Sequence, residues 1–136
     1  MRKTLSLILV LITIALALVS CNQDAVVSDP NVWDNAIYTE DTTVGEGSIT
    51  FTLKIEIADK TVKLTVNTDK KILGDALYDL GIINDPTFFD TANGMKIDWA
   101  TEQAYWGFYI GDTIAPYGVG DQPISGGELF RFVYTK

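Results

Sequence analysis

Nine residues of strict alternation constrain this chain more than anything else in it. Ile49, Phe51, Leu53, Ile55 and Ile57 are large and apolar, and Thr50, Thr52, Lys54 and Glu56 between them are polar. Side chains of a strand point alternately to its two faces, so this pattern predicts a β-strand buried on one side only. Val62, Leu64 and Val66 then alternate with Thr61, Lys63, Thr65 and Asn67. The link through Ala58, Asp59 and Lys60 is short, so the pair reads as a hairpin with one apolar face.

That apolar face must be covered, and the next stretch changes period to supply the cover. Leu73, Ala76, Leu77 and Leu80 fall at i, i+3, i+4 and i+7, which is one stripe of a helix. Thr68 or Asp69 is expected to cap its start, and Gly81 to take the left-handed position after its end. Gly74 costs such a helix about 1 kcal/mol relative to alanine, so something is expected to pack closely on it. Residues 84–94 read as loop, with Phe88 and Phe89 turned inward. Met95, Ile97 and Trp99 suggest a short strand, with Trp99 open between core and rim.

Residues 104–111 (AYWGFYIG) read as a second buried strand closing into a turn at Gly111 and Asp112. Trp106, Phe108 and Ile110 share its apolar face. Tyr105 and Tyr109 flank Gly107 on the other, which leaves a shallow notch with an aromatic on each side. A last strand from Glu128 carries Phe130, Phe132 and Tyr134 on one face. Strand, strand, helix, then several strands is an α+β order. A β-grasp-like mixed sheet with one helix packed on one face, the last strand beside the first, fits it best.

The first twenty residues stand apart. A basic start, Arg2 and Lys3, precedes an apolar run over residues 5–19 that is broken only by Ser6 and Thr13. It is shorter than the roughly 20 residues that cross a bilayer, and its layout is that of a secretory leader. Ser20 followed by Cys21, the only cysteine, resembles the bacterial lipobox. The resemblance implies cleavage before Cys21 and a diacylglycerol on its sulfur, a lipid anchor of two or more chains. Residues 1–20 are therefore expected to be a lipoprotein signal peptide and residues 21–32 a flexible tether. Residues 33–136 are then a single domain, lipid-anchored to the cell membrane and facing away from the cytoplasm.

Composition excludes several function classes. There is no histidine, so Ser-His and Cys-His nucleophiles are absent. With the one cysteine lipidated, zinc sites built from His and Cys are absent too. Eighteen acidic residues against ten basic give a formal net charge of −8, and the leader removes two of the basic ones. Such a surface repels phosphates, so nucleic acid is not an expected partner. Asp112, Asp121 and Glu128 lie in glycine-rich loops, but without the ligand spacing of a calcium loop. No carboxylate pair stands out as an acid and base, and no enzyme is expected.

The aromatics remain. Tyr105, Tyr109 and Tyr117 either line an exposed platform for a flat or amphipathic ligand or simply shield the sheet, and Trp99 joins them if it sits at the rim.

Residues 38–47 (YTEDTTVGEG), 68–77 (TDKKILGDAL) with 80–82 (LGI), 92–94 (ANG), 104–109 (AYWGFY) and 127–134 (GELFRFVY) together resemble a family of bacterial surface lipoproteins of unknown function. Their domain is related to the C-terminal β-domain of transcobalamin and intrinsic factor. The resemblance runs from about Trp33 to Lys136. It implies a β-grasp-like fold of the soluble-ligand-binding type, with cobalamin as the family-level ligand. Where that family often has a histidine before the TDK stretch, this chain has Asn67. The function expected is a non-enzymatic surface module that binds a small ligand, corrinoid-like by resemblance, and hands it to a transporter. The alternative is an adhesion or protein-docking module with no small ligand.

Overall fold

The computed structural model describes residues 32–136. The leader, the lipidation of Cys21 and nearly all of the tether lie outside them. Eight strands and two helices follow in chain order: β1 (Thr42–Gly45), β2 (Ile49–Ile57), β3 (Lys60–Thr68), α1 (Leu73–Asp79), β4 (Thr91–Ala92), β5 (Met95–Lys96), α2 (Trp99–Glu102), β6 (Tyr105–Ile110), β7 (Thr113–Ile114) and β8 (Leu129–Thr135). The architecture is a mixed sheet with few helices, α+β or mostly β. Six strands form one mixed sheet in the order β1-β3-β2-β8-β6-β7, and β4 and β5 form a separate small hairpin.

The alternating stretch is β2, and its apolar residues are all buried. It pairs antiparallel with β3 across a two-residue turn at Ala58 and Asp59. On its other side it pairs in parallel with β8, Leu53 opposite Phe130 and Ile55 opposite Phe132. The last strand thus runs beside the first strand of the hairpin, as the sequence order implies. β6 lies antiparallel against β8, and β7 folds back on β6 through the turn at Gly111 and Asp112.

The apolar stripe of α1 enters the same core as the inward faces of β2, β3 and β8: Leu73, Ala76 and Leu77 are buried there with Phe51, Leu64 and Phe132. Each of these leucine and phenylalanine side chains contributes about 1.5–3 kcal/mol by leaving water. Phe51 meets Phe130 edge-on at 5.4 Å, and Phe108 meets Phe132 at 5.7 Å. Gly74 has the close neighbour its sequence position implied: a β-carbon there would collide with the Pro86 carbonyl oxygen and press on that of Val119. Gly81 follows the helix with φ +70°.

Four expectations need correction, and one strand has no counterpart among them. Neither Thr68 nor Asp69 caps α1. The Thr68 hydroxyl accepts from the Lys70 amide, and Asp69 accepts from the amide and hydroxyl of Ser48. The helix start is secured by another segment, the Leu73 amide donating to the Gln122 carbonyl at 2.8 Å. Residues 42–45, which carry no alternating pattern in the sequence, form β1, a parallel edge strand on β3; a mostly solvated edge needs only Val44 buried. The 95–99 alternation is cut short, because the chain leaves β5 and winds into α2 at Trp99. Among the described residues there are consequently two α-helices. Phe88 is 92% exposed, whereas Phe89 packs on Phe132 with centroids 4.6 Å apart. The Asp85 carboxylate accepts from the amides of Thr87 and Phe88 in the tight turn that carries the two rings.

Candidate functional site

The corner where β5 runs through α2 into β6 leaves a cleft of about 290 Å³. Its making is local. Asp98 is the residue before α2, and its Oδ1 accepts from the Ala100 amide at 3.0 Å. Glu102 reaches back to accept from the Asp98 amide at 3.3 Å. This reciprocal cap stabilises a helix too short to form alone. Gln103 then takes a left-handed conformation, φ 51°, and turns the chain into β6. Trp99, the first residue of the capped turn, is left 62% exposed, and Tyr105 just past it 50% exposed. Their rings lie 6.1 Å apart, centroid to centroid, tilted by 56°.

The cleft is lined by Ile97, Ala104 and Trp106, with Phe89 beside them. Ile97 and Ala104 are buried, and the Trp106 indole N–H donates to the Met95 carbonyl at 3.3 Å. Two carboxylates complete the lining, Asp90 and Asp98. Asp90 Oδ1 accepts from the Thr91 hydroxyl and the Asn84 amide group, each at 2.8 Å, and Oδ2 lies 3.7 Å from the Lys96 ammonium. The Thr91 hydroxyl above all, with Lys96 and Asn84 adding, holds the Asp90 carboxyl below the usual carboxylate range. Asp90 is therefore ionised throughout the neutral range. The site offers aromatic faces, an apolar lining and fixed negative charge.

Of the residues singled out from sequence, Trp99 and Tyr105 come together here, and Trp99 sits at the rim. Tyr109 is on the same sheet face as Tyr105 but is engaged elsewhere. Its ring lies 5.5 Å from the Arg131 guanidinium, its cross-strand partner. Arg131 in turn forks onto Glu56 at 2.6 and 3.3 Å and donates to the Gly111 carbonyl. The notch expected over Gly107 is filled: the Thr135 hydroxyl and the Tyr109 ring occupy the space a β-carbon would take. Tyr117 is 60% exposed in the loop after β7 and does not line the cleft. Glu128 uses Oε1 to accept from the Ser125 and Gly126 amides, and Asp112 faces Arg131 at 3.6 Å. Among the described residues no three acidic, histidine or cysteine side chains gather as a metal site. No described helix is long and apolar enough to cross a membrane.

Sequence reasoning missed Phe89, Asp90 and Asp98. The Asp98 and Glu102 spacing was the available signal for the second of these carboxylates, since it marks a helix start just where the alternation seemed to continue.

No family model and no curated protein matches this chain. Among solved structures it is similar to a protein from Ruminococcus gnavus provisionally described as metal-binding. They share 19% identity over 65% of this chain and 98% of that one, with a TM-score of 0.60. It is also similar, more distantly, to transcobalamin-like haptocorrin in complex with Cbi, at 15% identity and a TM-score of 0.45. That match covers 68% of this chain and 26% of haptocorrin. At these identities the first likeness is one of fold, and the second carries no weight for function.

Proposed function

We propose that this chain is a non-enzymatic binding module, tethered through a lipid on Cys21 to the outer face of a cell membrane, that holds a small ligand between α2 and β6 and passes it to a transporter. The cleft carries this reading, because two large aromatics stand half-exposed around an apolar lining. Exposed aromatics backed by a concavity are the usual make-up of a small-ligand site, and about 290 Å³ suits the lower end of such sites. The chemistry present favours holding over reacting. Histidine is absent, and Asp90 is tuned away from the neutral range that a general acid or base needs. The parallel pairing of β8 with β2 supports the β-grasp-like reading of the sheet. A corrinoid remains the ligand that the sequence resemblance implies. A macrocycle of that size exceeds the cleft and would engage it by one edge.

The test is fluorescence titration of the full chain in a neutral maltoside detergent with cobalamin, haem, flavin and small aromatic compounds, alongside palmitate labelling of Cys21 in cells. Saturable quenching that disappears in Trp99→Ala and survives in Tyr109→Ala is the expected result. No saturable response to any compound, or responses indifferent to Trp99, would overturn the cleft as the site.

A further inference from the structure

The geometry points to an organic cation as the occupant of this cleft: an ammonium head, methylated or primary, carried on an apolar body. The inference rests on the binding-module reading and names the chemistry of its ligand.

Aromatic faces attract cations through the negative potential over the ring, and the attraction acts within about 6 Å of the centroid. The Trp99 and Tyr105 rings touch, with centroids 6.1 Å apart, so a head group seated over the open side of the pair is within range of both. Both rings are exposed enough to receive it from solvent. Phe89, partly buried in the lining, provides apolar surface for the body of the ligand.

Charge decides among ligand classes. Asp90 and Asp98 line the cleft, and no lysine or arginine does. An anionic or strongly electron-rich ligand would face both carboxylates with only the exposed Lys96 ammonium to offset them. Asp98 uses Oδ1 for the helix cap, and among the described residues its Oδ2 makes no hydrogen bond. Asp90 is paired only loosely, with the Lys96 ammonium 3.7 Å away and both side chains about half exposed or more. Lys96 is thus a built-in competitor: an ammonium already attracted to the rim by the same charge, and readily displaced because exposed pairs are weak. A bare metal ion is the poorer candidate, since aromatic rings and two dispersed carboxylates give it too few oxygen ligands.

Choline and 3,3-dimethylbutan-1-ol have the same shape and differ in the charge of the head, so they isolate the claim. The full chain in neutral maltoside micelles is titrated with each, and the indole N–H resonances of Trp99 and Trp106 are followed by NMR. Choline should shift Trp99 saturably, and its uncharged counterpart should not. Asp98→Asn keeps a good helix cap and Asp90→Asn keeps an acceptor for Thr91. Each should weaken choline binding by about threefold to tenfold. Lys96→Met should strengthen it by about twofold. If the uncharged alcohol shifts Trp99 equally, or the carboxylate variants leave affinity unchanged, the charge inference is overturned while the binding module stands. If neither compound shifts Trp99, the inference is again overturned, and the panel of larger ligands judges the module separately.

Discussion

At the scale of single residues, the Asn93 side chain ties together segments 55 positions apart in the chain. It is fully buried and left-handed, φ 53°. Its amide group accepts from the Tyr38 amide and donates to the Tyr38 carbonyl, each at 2.8 Å. Its backbone bonds Ile82 on one side and Ile37 on the other. One asparagine therefore sews residues 37–38 to the β4–β5 turn and the end of the α1 loop. Asparagine suits the position twice over, tolerating the left-handed backbone and carrying both a donor and an acceptor. Asn93→Ala would strand both Tyr38 backbone groups and put alanine at an unfavourable φ. We expect a loss of roughly 3 kcal/mol, read as a lowered urea midpoint at unchanged slope. A loss below about 1 kcal/mol would mean water replaces the side chain. The sequence marked residues 84–94 as loop, but a loop propensity is local, and the bonds to a residue 55 positions away are not.

At the scale of elements, the helix and the loop over it show two effects in opposition. Alanine is a better helix former than glycine by about 1 kcal/mol, so Gly74→Ala ought to stabilise α1 taken alone. In the fold a β-carbon at position 74 runs into the Pro86 carbonyl, which is backbone and cannot swing aside. Overpacking of this kind costs about 1–3 kcal/mol or more. The variant should therefore lower the thermal midpoint, and should disturb the amide resonances of residues 85–88 most; a raised midpoint would show that the loop yields freely. Elements with a strong period were legible: β2, β3 and α1 each declare themselves over two or more turns or pairs. β1 and α2 were not, for a physical reason. A four-residue edge strand buries one side chain and a four-residue helix buries none, so neither leaves a periodic trace. The cleft depends on α2, which is why Trp99 and Tyr105 could be named from sequence while their partners Asp90 and Asp98 could not.

At the scale of the whole molecule, the last strand to be made occupies the middle of the sheet. β8 is the sole bridge between the β1-β3-β2 half and the β6-β7 half. It also brings Phe130 and Phe132, both fully buried, against rings from β2, β6 and the 84–90 loop. A chain ending at Gly127 would lose those side chains, expose the inward faces of β2 and β6, and leave β6 with no neighbour but the two residues of β7. The burial forfeited is on the order of 10 kcal/mol, against a net stability of about 5–15 kcal/mol for a domain of this kind. Such a truncation should show no cooperative thermal transition by circular dichroism, whereas removal of Lys136 alone, exposed and outside the strand, should leave the transition intact. A cooperative melt in the shorter chain would mean that the hairpin, α1 and their loops close a core without β8. Because the cleft hangs from the first residues of β6, the same experiment separates fold from site: ligand response should vanish with the transition, not before it.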